Sequence, residues 1–267
     1  MQAEVAYPTD YASLFPPAYA WRSALLPHNQ RMHLAAPVHD PFGLIPGLAG
    51  DPQRFGKKGI VKMFDSRADL FFESPNISRN PPGTYGVLHL LRRDIFLCLG
   101  WDPVTQVQTN YSPLWPGGMA ILAGIDLIAK FFKGEDTIGQ VGQRFRDYIT
   151  KYFFPISSVD AEVIYQLRNA LLHSFGLYSQ TKTNAYRFVL SANNTALVQA
   201  HDENVYQIDL RTLHLKFEDS LGRYTNDLNM DSTLQVNFLK MFDNYGAVYI
   251  GRESLSAEEK ASHEVHN

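Results

Sequence analysis

Asp160-Ala-Glu-Val-Ile-Tyr165-Gln-Leu-Arg168-Asn169-Ala-Leu-Leu-His173-Ser174-Phe-Gly176 is the stretch on which the reading of this chain turns. Its apolar residues recur at helical spacing. At about 100° per residue, Ile164, Leu167 and Leu171 share one face and should point into a core. Asn169 and His173 are i, i+4 neighbours on the opposite side, beside Tyr165 and Leu172. Arg168 flanks that second face, and its long side chain can swing toward His173. The second face is polar at its reactive positions but apolar at Tyr165 and Leu172. That mixture predicts a partial cover, from a second protomer or from an aromatic N-terminal arm. Asp160 is the expected N-cap and the helix should end near Gly176.

Working outward, three more helices precede this one. Residues 85–99 carry Val87, Leu88, Leu91, Ile95 and Leu99 at helical spacing and close at Gly100. A turn at Pro116-Gly117-Gly118 should introduce a second helix over 119–132, ending at Gly134. Asp136 or Thr137 should cap a third, with Ile138, Val141, Phe145, Tyr148, Ile149 and Phe153 in register until Pro155 stops it. Short loops make the neighbours antiparallel, so the expected fold is mainly α, with a four-helix bundle within residues 57–178. Ile60 to Phe64 is open between strand and helix, and Asn80-Pro-Pro-Gly83 is a loop.

Beyond Ser179 the pattern changes to β. Tyr186–Leu190, Asn193-Asn194 and Ala196–Ala200 predict a hairpin, with residues 205–208 as a third strand. Two further helices are expected over 210–224 and 232–242. Residues 179–253 should therefore form a β-hairpin or meander plus helices packed on the bundle, and 254–267 a frayed tail. Residues 1–56 are an irregular arm in which Pro8, Pro16, Pro17, Pro27, Pro37, Pro41 and Pro46 alternate with Tyr11, Phe15, Tyr19 and Trp21.

The 267 residues are 45% hydrophobic and 13% aromatic, enough for a packed interior. A formal net charge of −3 excludes a general nucleic-acid coat and leaves only a local basic patch for such a partner. The single cysteine, Cys98, cannot form an intramolecular disulfide and reads as a small apolar residue. With no secretory h-region and no long uncharged apolar run evident, the expectation is a cytoplasmic protein without a membrane contact.

Arg168-Asn169-Ala-Leu-Leu-His173, late in the last long helix of a bundle, resembles the R-x(4–6)-H motif of HEPN domains, with the polar residue commonly found just after the arginine. The resemblance covers residues 84–178. It implies a metal-independent endoribonuclease, a hydrolase assembled as a homodimer in a toxin or defence setting, with no cofactor and with an antitoxin-like partner as a further implication. His173 would then be the general base or acid, Arg168 the phosphate-stabilising cation, and Asn169 the group that orients RNA or the histidine. Ser174 and Tyr165 would contact substrate, as would Lys57 and Lys58 in the basic turn Gly56-Lys-Lys-Gly59. The chemistry is self-consistent: transesterification through a 2′-hydroxyl needs a base and a cation and requires no metal.

Two other classes stay open: a non-catalytic interaction or scaffold protein, and a nucleotide-binding module in which Arg168 and His173 hold a phosphate without cutting. Arg92-Arg93 reads as an ion-paired face or as part of a basic groove. His33, His39 and Asp40 form a weak candidate metal cluster. His201-Asp202-Glu203 reads as a turn between strands, and Tyr148 and Tyr152 as core residues. Asp126, between Ile125 and Leu127, needs a cationic partner if buried, with Arg144 and Arg168 as candidates.

Overall fold

The computed structural model describes residues 63–108 and 113–251. The arm, the Lys57-Lys58 turn, the His33/His39/Asp40 group and the tail lie outside them. Among the described residues the chain is mainly helical, with seven helices and eight short strands.

Helix α1 (Ser66–Phe71) is capped by Asp65, whose carboxylate accepts from the Arg67 amide, so the ambiguous segment around Phe64 leads into a helix. Strand β1 (Gly83–Gly86) then runs directly into α2 (Val87–Cys98). A two-residue ladder of β2 (Trp101–Asp102) and β3 (Val107–Gln108) leads toward α3 (Leu114–Lys133). This helix begins five residues earlier than the Pro-Gly-Gly sequence predicts. Pro116 falls in its first turn, where the missing N–H has no intrahelical acceptor in any case. Gly117 lies against the Cys98 and Leu99 side chains at the end of α2. At the other end Gly134 takes the left-handed conformation and caps the helix.

Helix α4 (Val141–Tyr152) starts after Gln140, and neither Asp136 nor Thr137 caps it. Gly139 has a φ of +86°, which interrupts the helix, and leaves Ile138 fully exposed. The Asp136 carboxylate is committed elsewhere. Helix α5 (Ser158–Ser174) is capped by Ser157, not Asp160. The Ser157 hydroxyl accepts from the Asp160 amide at 3.0 Å, and Asp160 contributes its charge to the first turn.

After α5 come β4 (Tyr178–Gln180), β5 (Ala185–Ser191), β6 (Val198–Asp202) and β7 (Val205–Asp209), in the spatial order β4-β5-β7-β6. The predicted β5–β6 hairpin is therefore wrong: β7 inserts between them, parallel to β5 and antiparallel to β6. The cause is Asp209. One of its carboxylate oxygens takes the Ser191 hydroxyl, the Asn193 amide and the Thr195 hydroxyl, and the other caps the next helix through the Thr212 amide. The Asn193-Asn194 corner is thus tied to the end of β7 and does not close a two-residue turn. The tight turn is at Glu203-Asn204, with Asn204 at positive φ, so of the predicted turn His201-Asp202-Glu203 only Glu203 lies in it and His201 and Asp202 belong to β6.

Helices α6 (Leu210–Met230) and α7 (Ser232–Tyr245) lead to β8 (Ala247–Ile250), which pairs antiparallel with β1. Helix α3 contacts α2, α4, α5, α6 and α7. Gly124 permits its close approach to α6, since a Cβ there would meet the Phe217 ring at 2.7 Å. By length and composition α3 could also cross a membrane, but half of it is buried among its neighbours, as befits a core helix. The core includes an aromatic cluster of Phe71, Phe131, Phe238 and Phe242. Tyr148 and Tyr152 are buried and bond the Ser220 hydroxyl and the Asp227 carboxylate, so both are core residues.

Candidate functional site

Helix α5 presents its two faces as its periodicity requires. Ile164, Leu167, Ala170 and Leu171 are buried. Tyr165, Asn169 and Leu172 are half-buried, and His173 and Ser174 are exposed. The helix ends through Phe175, which occupies the left-handed region at φ 47° although it is not glycine, and is 71% exposed. The Gly176 amide donates back to the Ala170 carbonyl at 3.1 Å and closes the final turn.

Arg168 joins the two faces. Its backbone lies on the buried side while its guanidinium runs along the helix to the histidine. Nη1 lies 2.5 Å from His173 Nε2 and 3.4 Å from Asn169 Oδ1. A guanidinium can only donate, so Nε2 is the acceptor in this contact and the ring proton sits on Nδ1. Nη2 donates to Asp126 Oδ2 of α3 at 2.8 Å. The structure thus brings Arg168, Asn169 and His173 into one cluster, with Asp126 behind it.

The cluster continues as alternating charges through buried Arg144 to exposed Asp136. Asp126 Oδ1 lies 3.8 Å from Arg144 Nη2, and the same Nη2 donates to Asp136 Oδ1 at 2.7 Å. Asp136 Oδ2 in turn accepts from Lys130 at 2.9 Å and from the Tyr245 hydroxyl at 2.7 Å. Burial alone would raise the Asp136 carboxyl. The Tyr245 hydroxyl, the Lys130 ammonium and the Arg144 guanidinium outweigh it and hold the group below the ordinary range. Asp126 has both arginines that its sequence position suggested. The Asp136–Tyr245 contact escapes sequence reading, because the two positions are 109 residues apart with no local pattern linking them.

The second face of α5 receives part of its cover from α4. The Tyr165 ring packs on Phe145 at 5.7 Å, and the Arg146 guanidinium lies over it at 4.8 Å. Gly142 makes room, since a Cβ there would sit 2.8 Å from the Tyr165 hydroxyl. Arg146 is also held by Glu162 at 3.1 Å. Tyr165 is therefore partly occupied by its own chain, whereas His173 and Ser174 face solvent. Lys57 and Lys58 lie outside the described residues.

The other candidates resolve structurally. Arg92 forms a two-pronged pair with Glu218, and Arg93 pairs with Asp94 at the surface. Cys98 is a half-buried free thiol, raised first by burial and then by the Asp94 charge. Among the described residues no three His, Cys, Asp or Glu side chains converge as a metal site. No known protein family, curated protein or solved structure matches this chain.

Proposed function

We propose that this chain is a HEPN-like endoribonuclease that cleaves RNA without a metal, through Arg168, Asn169 and His173. The observation that carries the reading is the 2.5 Å approach of Arg168 Nη1 to an exposed His173 Nε2. An exposed base meets a largely buried cation there, and the cation is anchored from behind at Asp126. An incoming phosphodiester would draw Nη1 onto its non-bridging oxygens and free the Nε2 lone pair. His173 then takes the proton of the 2′-hydroxyl, and the 2′-oxygen forms its bond to phosphorus. Arg168 stabilises the charge on the phosphoryl oxygens as the bond to the 5′-oxygen breaks.

The leaving oxygen needs a proton. A protonated His173 from a second copy would supply it, which makes a homodimer part of the proposal. The products would be a 2′,3′-cyclic phosphate and a 5′-hydroxyl. Single-stranded or looped RNA is the preferred substrate class, because in-line geometry at a splayed 2′-hydroxyl is easier to reach there. A toxin or defence role, with a protein antidote, belongs to the same proposal.

The net charge of −3 favours a second reading, a non-catalytic scaffold or nucleotide-binding protein that uses the same cluster to hold a phosphate. Incubation of mixed RNA with the protein in EDTA separates the two. The endonuclease reading expects cleavage that His173→Ala abolishes. Equal behaviour of parent and variant supports the binding reading.

A further inference from the structure

We propose that Asp126 is a positioning residue for Arg168, holding one arm of its guanidinium so that the other is presented to His173 and to substrate. The inference rests on the proposed ribonuclease reading for its kinetic consequence, though not for its geometry. Asp126 lies mid-helix in α3 between Ile125 and Leu127, where a carboxylate is costly unless paired. Pairing alone does not explain how it is used. Only Oδ2 accepts from Arg168, through Nη2 at 2.8 Å, and buried Oδ1 has no hydrogen-bond donor. An ion pair serving stability alone gains most from the fork in which both carboxylate oxygens engage two N–H groups. Glu218 achieves that with Arg92 in the same protein.

The single-pronged contact has a geometric result. With Nη2 fixed, Nη1 is turned outward to His173 Nε2 and Asn169 Oδ1. Arg144 approaches Asp126 from the far side and is itself anchored by Asp136 and by the Thr137 carbonyl. It therefore flanks Asp126 as a fixed charge without competing for Oδ2. Asp126 bonds Nη2, while Nη1 bonds His173 and Asn169, so its influence on the reaction passes through Arg168.

The test compares the parent with Asp126→Asn, which retains a carbonyl acceptor and much of the packing. Asp126→Ala serves as the stronger perturbation where it folds. In RNA cleavage in EDTA, Asp126→Asn should lower kcat about tenfold with KM within about twofold. Asp126→Ala should lower kcat about a hundredfold. In an Arg168→Ala background, Asp126→Asn should add less than about twofold. A purely structural residue would lower the melting temperature and leave kcat unchanged below it, and that result overturns the proposal.

A second readout does not need activity. In ¹⁵N spectra of the guanidinium groups, Arg168 should show restricted rotation in the parent and faster rotation in Asp126→Asn, with Arg92 unchanged as an internal reference. Equal Arg168 rotation in both proteins overturns the positioning role. If the parent cleaves no RNA, the ribonuclease reading fails, and these spectra still decide whether Asp126 sets the guanidinium.

Discussion

Among the described residues, the arginine–carboxylate pairs Arg92–Glu218 and Arg168–Asp126 are largely buried and each has a histidine beside it, but they are finished differently. At Arg92–Glu218, between α2 and α6, Nε and Nη2 engage both carboxylate oxygens at 3.0 and 2.5 Å, and Nη1 reaches the Glu73 carbonyl at 3.4 Å. The neighbouring His214 is buried, with Nε2 3.8 Å from Glu218 and its ring edge-on to Phe96. At Arg168–Asp126, one arm of the guanidinium meets one carboxylate oxygen, and the histidine on the other arm is exposed. The first pair engages both carboxylate oxygens and turns all three guanidinium nitrogens to acceptors within the fold. The second directs one arm of its guanidinium to a base at the surface. Similar residue types thus give a clamp between helices in one place and a candidate reaction centre in the other.

The clamp should be the easier of the two to break by stability. Glu218→Ala strands the Arg92 guanidinium and should cost about 3–5 kcal/mol in urea unfolding, with no change in any cleavage rate while the protein stays folded. A loss under 1 kcal/mol, or a rate change without unfolding, would erase the contrast.

Acid titration sharpens the same contrast. Burial pushes the Glu218 carboxyl up, but the Arg92 charge and His214 overcome it and bring it down to about 2, against an ordinary 4.5. Because the folded value is depressed, its stabilisation is fully present above pH 4.5 and is lost as pH falls toward 2. Urea midpoints should therefore fall more steeply with acid in the parent than in Glu218→Gln, and parallel profiles would contradict the assignment.

On the other side, Asn169→Ala should lower cleavage by about tenfold, because its Oδ1 helps fix the direction of Nη1. Its melting temperature should hardly move, and the reverse pattern would make Asn169 a structural residue. The smallest effect is expected at Phe175. Replacing this exposed left-handed residue by glycine relieves backbone strain and should raise stability by roughly 1 kcal/mol, read as a higher urea midpoint.

The same two regions show what can be read in advance. The faces of α5 were legible because burial follows 3.6-residue periodicity, and the Arg168–His173 pairing because the residues are five apart on one helix. Asp126 was legible as a charge stranded between Ile125 and Leu127. Arg92–Glu218 was not, since its partners are 126 residues apart and each alone resembles an ordinary surface charge. The misreadings share that origin. Asn193-Asn194 has the composition of a hairpin turn, but Asp209 recruits it for another purpose. Asp136 has the composition of a helix cap, but Lys130, Arg144 and Tyr245 claim its carboxylate. Pro116 looks like a helix breaker and sits where a helix tolerates it.

The most direct test of the surface cluster as a reaction centre is the chemistry of the RNA ends it leaves. RNA incubated with the protein in EDTA should yield fragments with 2′,3′-cyclic phosphate and 5′-hydroxyl termini, and His173→Ala should yield none. Intact RNA, or fragments ending in 3′-hydroxyl and 5′-phosphate, would contradict a histidine-driven attack by the 2′-oxygen at this helix.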